Sequence, residues 1–181
     1  MTTPEAASVR LRNGASVRIR PIRPDDEPRL SALYDRLGLE TAFQRFFTVM
    51  RSLPPEWAHY FAHVDGVWRV AVVAERHGAD GEPVLVGVGR YEAAADASDA
   101  EIALVVEDAW QAQGLGAVLL EEILRAGEAH GIHEFRAWVL ADNARMRGLL
   151  ARHTRIVRQQ VEQGVAEIVF CRRAAAPADA A

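Results

Sequence analysis

Between residues 101 and 124 the hydrophobic pattern changes period, from that of a strand to that of a helix, across a turn with two glycines. Residues 101–106 are an apolar, largely β-branched run with one carboxylate, Glu101, at its start. That pattern predicts a strand. Gln111, Ala112, Gln113, Gly114, Leu115, Gly116 and Ala117 make the turn. Beyond it Leu119, Leu120, Ile123 and Leu124 fall on one broad apolar stripe at helical spacing. Glycines let a backbone approach a ligand closely, and the free N–H groups of a helix start face whatever lies beside them. Such a turn suits a pyrophosphate.

Other phosphate-binding turns need residues this chain lacks. A dinucleotide-binding turn places a third glycine where Leu119 stands. Glu134, 20 residues after Gly114, does match the acid of such a site. The segment before the turn, however, reads as successive strands and not as an opening βαβ unit. A Walker loop needs a lysine, and all 21 basic residues here are arginine. A glycine turn that only caps a helix is the plain alternative; the preceding strand and the placement of Gln111 argue against it.

Composition narrows the class. A chain of 181 residues, half of them hydrophobic, makes one domain with a sizeable core. The net charge of -4 and pI near 5.9 give no basic footprint for nucleic acid. The single cysteine, Cys171, excludes an internal disulfide and fits a reducing compartment, so a cytoplasmic location is expected. No apolar run reaches membrane-spanning length, and the N-terminus lacks a signal-peptide core. Residues 1–14 and 174–181 read as flexible tails around a domain at 15–173.

The pattern predicts strands at 16–22, 67–76, 83–91, 101–106, 134–140, 154–162 and 165–172. Helices are predicted at 24–37, 40–48, 54–62, 118–130 and 142–153, with Gly131 ending the fourth. The expected class is α/β (α+β): a mixed central sheet of six to seven strands with helices on both faces.

The strand, the Gln-x-x-Gly-x-Gly turn and the helix resemble the acyl-CoA signature of the GNAT family of N-acetyltransferases, and the likeness runs from about residue 17 to 172. The resemblance implies acetyl-CoA as cosubstrate, with no metal. It implies that the strand splays from its neighbour, leaving the backbone of Leu104, Val105 and Val106 to hold the pantetheine arm. The pyrophosphate would sit on the amides of Gln111, Ala112, Gln113, Gly114, Leu115, Gly116 and Ala117. Asn143 matches the residue that supports the CoA arm, with a helix N-cap as its alternative role. The stretch 37–54, with Arg45, Phe46 and Phe47, is similar to bacterial protein lysine acetyltransferases that act on acyl-CoA synthetases. Relatives of that kind often carry a regulatory domain; 181 residues leave no room for one, so such control would need another chain. Ordinary packing of Phe46 and Phe47 in the core, with Arg45 snorkelling, is the alternative for that stretch.

Acyl transfer to a lysine needs a neutral nitrogen, and a free lysine has a pKa of about 10.4. The resemblance places the general base at Glu101. An apolar cleft around that carboxylate would make it a stronger base. Glu107 and Asp108 are expected to face solvent, because an acid beside a pyrophosphate is unfavourable. The N–H of Val106 is the candidate oxyanion donor. Many family members have a tyrosine where Leu150 stands, and Tyr91 is a weak substitute for that acid. Cys171 reads as a packing residue. The six histidines form no metal-ligand pattern with cysteine or acid partners; His59 and His63, four apart on a helix, are two ligands without a third.

Three activities remain in play. A protein lysine acetyltransferase is favoured by Glu101 and the Arg45 region. A small-amine N-acetyltransferase would act with no protein acceptor present. A non-catalytic acyl-CoA sensor would fit the missing tyrosine. No nucleic-acid or membrane partner is expected.

Overall fold

The chain turns back on itself at Asn13-Gly14, a pair suited to a tight hairpin because both residues tolerate left-handed backbone. Gly14 has φ +83°, the Leu11 amide donates to Ala15 at 2.8 Å, and the Ala15 amide donates to Asn13 Oδ1 at 3.0 Å. The computed structural model describes residues 7–95 and 97–173, and this hairpin opens it. Strand β1 (Ala7–Arg10) pairs antiparallel with β2 (Ser16–Pro21), and Leu11 is buried in the core. Residues 7–14 are therefore part of the domain, not the tail that sequence reading expects there. Residues 174–181 lie outside the described residues.

Three helices follow: α1 (Glu27–Asp35), α2 (Leu39–Phe46) and α3 (Pro55–Ala62). Strands β3 (Arg69–His77), β4 (Pro83–Glu92) and β5 (Asp99–Val106) come next, then α4 (Leu115–Ala129), β6 (Glu134–Leu140), α5 (Ala144–His153), β7 (Thr154–Glu162) and β8 (Val165–Arg172). The sheet has eight strands in the order β1-β2-β3-β4-β5-β6-β8-β7, one more than the seven read from the pattern, the addition being β1. It is mixed, as expected: β5 and β6 run parallel and every other pair is antiparallel. No helix of the described residues is long and apolar enough to cross a membrane.

Helices cover both faces. Leu119, Leu120, Ile123 and Leu124 of α4 are fully buried against one face, with Val72, Val86 and Ile102. Burying such a side chain contributes about 1.5–3 kcal/mol. On the other face Leu30 and Leu33 of α1 and Ala58 of α3 pack on Val73, Val88 and Val105.

The parallel pair gives the molecule its cleft. Strand β5 pairs with β6 only at Asp99, Ala100 and Glu101, opposite Glu134, Phe135 and Arg136. Beyond Glu101 the two strands part, while β5 stays in register with β4 as far as Val106 opposite Gly87.

Candidate active site

The parted strands open a cleft of about 570 Å3 lined by residues 101–106 of β5, Ala137 to Val139 of β6, the turn before α4, and Asn143, Met146 and Leu149. The Glu107 amide donates to Val86 at 2.9 Å. With the β4–β5 register this sets the alternation of the ladder. The backbone groups of Val105 turn toward β4, and those of Leu104 and Val106 turn away from it toward the gap. The splayed strand expected from sequence is therefore present, with Val105 corrected: its backbone belongs to the sheet. The Val106 carbonyl accepts from Gln111 Nε2 at 3.0 Å, and its N–H has no partner among the described residues.

The turn is built to leave amides free. Helix α4 begins at Gly114, whose φ of +93° no other residue adopts readily, and no side chain caps it. Ala112, also left-handed at φ +59°, precedes it. The amides of Ala112, Gln113, Gly114, Leu115 and Gly116 have no partner among the described residues. Those at the two ends of the expected set are used internally. Gln111 N–H donates to Asp108 at 3.2 Å and Ala117 N–H to Gly114 at 3.1 Å. Gln111 instead works through its side chain, donating to Val106 and Thr41 and accepting from Arg145. Unpartnered amides at the start of a 15-residue helix form an anion site. A Cβ on Gly116 would sit in ordinary contact, 3.4 Å from Leu149, so the protein itself leaves that approach open.

Arginines surround this anion site. Arg12 donates its amide to Gln113 at 3.1 Å and also lines the cleft, as do Arg45, Arg145 and Arg152. Sequence reading put Arg12 in a tail; the Asn13-Gly14 hairpin was the signal that could have placed it here. Asn143 lines the cleft and is also the N-cap of α5, accepting from Met146 N–H at 3.0 Å.

Several expectations need correction. Glu101 is exposed at the cleft mouth, at the last residue where β5 pairs with β6; among the described residues no apolar pocket encloses it. Asp108 is exposed, as expected, while Glu107 is half-buried, and both are also engaged by protein: Asp108 accepts from Gly38 N–H at 2.9 Å and Thr41 at 2.7 Å, and Glu107 accepts from Arg36 at 3.1 Å. Asp108 tethers the start of α2 to the turn, and Glu107 holds Arg36 at the end of α1. Tyr91 is fully buried and does not line the cleft; its hydroxyl donates to Val67 O at 2.6 Å and lies 2.9 Å from His130. Burial also raises its pKa, so it is no substitute acid. Phe47 stands at the cleft with left-handed backbone, φ +57°, while only Phe46 joins the core. Leu150 is buried in the core and Leu149 faces the cleft. Glu27 supplies the acid partner that the histidine spacing lacked, its Oε1 lying 2.9 Å from His59 and 3.3 Å from His63.

A second hollow of about 530 Å3 lies beyond β5, under α2 and α3. Its walls are Phe46, Trp57, Tyr60 and Phe61, with Arg45, Arg69, Arg90 and Glu92. Arg45, Glu101, Ile102 and Ala103 line both hollows, so Glu101 is their common carboxylate. Burial, then the neighbouring Arg45 and Arg69, hold the Arg90 pKa down at about 10, against the pull of Glu92. It remains a cation at neutral pH. Burial, with the Glu92 hydrogen bond, raises Tyr60.

Comparison with known proteins agrees with this geometry. The family model for "Acetyltransferase (GNAT) family" matches residues 35–154. An acetyltransferase of Pseudomonas aeruginosa is 31% identical over 139 residues, covering 77% of this chain and 74% of that protein. The acetyltransferase Pat of Mycolicibacterium smegmatis is 31% identical over 148 residues, 80% of this chain; the match spans 42% of that longer protein. Among solved structures, the GNAT domain of S. lividans PAT superposes with a TM-score of 0.83 at 32% identity, covering 94% of this chain and 99% of that one.

Proposed function

Because the chain belongs to the acetyltransferase (GNAT) family, we propose that this N-acetyltransferase moves the acetyl group of acetyl-CoA to a lysine side chain of a protein, an acyl-CoA synthetase being the class of acceptor. Acetyl-CoA is the cosubstrate; it supplies the acetyl group already activated as a thioester. The observation that carries the reading is Glu101, the carboxylate shared by the cofactor-side cleft and the hollow beyond it.

In this reading the free amides from Ala112 to Gly116 hold the pyrophosphate, with Arg12 beside them. Leu104 and Val106 bond the pantetheine arm as a neighbouring strand would, and Asn143 orders the α5 end of the cleft. Glu101 accepts the proton of the lysine amine, directly or through one water. The N–C bond forms, the C–S bond breaks, and CoA leaves as its thiolate. Both substrates are bound together, one in each hollow.

Two observations support a protein acceptor. Leu39 and Phe43 on α2 and Phe47 at its C-terminal end fall four residues apart and all are exposed, together with Val49. An exposed apolar stripe beside a site suits a macromolecular surface. Two matched relatives also carry the name Pat. A cytoplasmic location belongs to the same proposal and rests on the single free cysteine.

Labelled acetyl-CoA, a purified acyl-CoA synthetase and a pool of small amines test the reading. Label should reach the synthetase, and Glu101→Gln should cut transfer roughly 10²–10⁴-fold with acetyl-CoA affinity kept. Label confined to the amine pool would remove the protein acceptor. Unchanged transfer by Glu101→Gln would remove the base.

A further inference from the structure

The second hollow has a guanidinium at its floor with an incomplete set of partners. Arg90 is only 4% exposed, yet its Nε is buried with no hydrogen-bond partner among the described residues. Glu92 Oε1 is 3.4 Å away but out of alignment, and the other Glu92 oxygen is held by Tyr60 at 2.9 Å. Arg90 Nη2 reaches only the Phe61 carbonyl, at 3.3 Å, while its Cζ sits 4.2 Å over the Phe61 ring. Arg69, stacked 3.8 Å over Tyr60, also has a buried Nε without a partner. A guanidinium offers five donors in a planar fork that matches a carboxylate. A buried charge left short of partners is unfavourable unless something completes it. Three guanidiniums line this hollow against two carboxylates, Glu92 and Glu101. The hollow therefore favours an incoming anion and repels an unescorted lysine ammonium.

The sheet places that guanidinium beside the reaction. Arg90 is opposite Ala103, and Glu92 is opposite Glu101. Arg90 and Glu101 are thus diagonal neighbours on one face, about 7–8 Å apart at their backbones. A carboxylate held by Arg90 would lie within a residue or two of an amine held at Glu101.

We propose that the second hollow receives a carboxylate of the acceptor protein on Arg90, with Arg69 beside it, so that the lysine acetylated is one with an Asp or Glu within two positions. The inference rests on the protein-lysine reading above and names the acceptor class within it. Arg45 and the aromatic walls then enclose the aliphatic part of the lysine.

Paired lysine peptides that differ only in Glu or Gln beside the lysine, offered to the full chain with labelled acetyl-CoA, test it. The wild type should prefer the Glu peptide at least tenfold in kcat/KM. Arg90→Gln should collapse that ratio toward one, and Arg90→Lys should restore part of it. If Arg90→Gln fails to fold, Arg69→Gln should lower the same ratio. Equal turnover of both peptides by the wild type would overturn the inference and leave the protein-lysine reading standing. Label passing only to free carboxylate-bearing amines would overturn both.

Discussion

Arg12 follows the first strand and lies beside the uncapped start of α4, about 4 Å from where a Cβ of Gly114 would be. Its amide is spent on Gln113; its guanidinium has no partner among the described residues and can meet an anion there. A charge-assisted hydrogen bond contributes about 1.5–3 kcal/mol. Arg12→Ala should therefore raise the KM for acetyl-CoA roughly tenfold or more and leave kcat much less affected. Added salt should shrink the difference, since the side chain is exposed. Steady-state kinetics at two ionic strengths check this. A KM unmoved by Arg12→Ala would mean that the backbone amides hold the pyrophosphate alone. Glu101 was singled out in the sequence by the family resemblance and by its place at the start of an apolar run. Its exposure was not legible there, since exposure depends on where β6 turns away.

At the scale of elements, α4 must lie close to the sheet for its start to reach the cleft. Gly87 and Gly89 of β4 provide that approach. A Cβ on Gly89 would fall 2.9 Å from Leu104 Cδ2, 3.1 Å from Ile123 and 3.2 Å from the Leu119 carbonyl oxygen. The last of these is helix backbone, which cannot swing aside. Gly89→Ala should destabilise the protein by about 1–3 kcal/mol through overpacking, read from denaturant unfolding. It should also weaken acetyl-CoA binding, because Leu104 is on the strand that would hold the pantetheine. A fully stable Gly89→Ala variant would mean that α4 rides further from β4. The helical stripe of α4 and its glycine turn were plain in the sequence. The role of Asp108 was not, because its partners, Gly38 and Thr41, lie about 70 residues away in the chain.

For the whole molecule, a buried ionic cluster joins β2 and β3 to the start of the helical layer. Arg20 of β2 meets Asp26 through both terminal nitrogens, at 2.7 and 2.8 Å, and Glu75 of β3 through Nε at 2.9 Å. Burial by itself raises the Asp26 pKa. The hydrogen bonds from Arg20 and the Arg23 amide, with the Arg20 charge, outweigh it and hold the folded carboxyl below its ordinary value. The folded pKa is thus lower than the unfolded one. The stability it brings is fully present above the unfolded pKa of about 3.9 and is lost as pH falls through the folded value. Removing one member leaves buried Arg20 short of a partner, so Asp26→Ala should cost about 3–5 kcal/mol. Asp26→Asn should lose part of the acid-induced drop in stability seen in wild type below pH 4. Thermal unfolding from pH 7 to pH 3 reads both. An Asp26→Asn curve parallel to wild type would take Asp26 out of the acid response.

Local order was within reach of the sequence alone. Hydrophobic period depends on a residue and its near neighbours, so it located the five α-helices and seven of the eight strands of the described residues to within a few residues. The Gln-x-x-Gly-x-Gly turn marked where a helix start is left uncapped. The tertiary structure decided what those elements share. The β4–β5 register commits Val105 to the sheet and turns Leu104 and Val106 away from β4, and the parting of β5 from β6 after Glu101 leaves those two facing a gap. The β1–β2 hairpin brings Arg12 to Gln113, about 100 residues distant. The layer of α2 and α3 closes over Arg90 and makes the second hollow. Each of these depends on strand register and on contacts between residues far apart in the chain, and period alone carries neither.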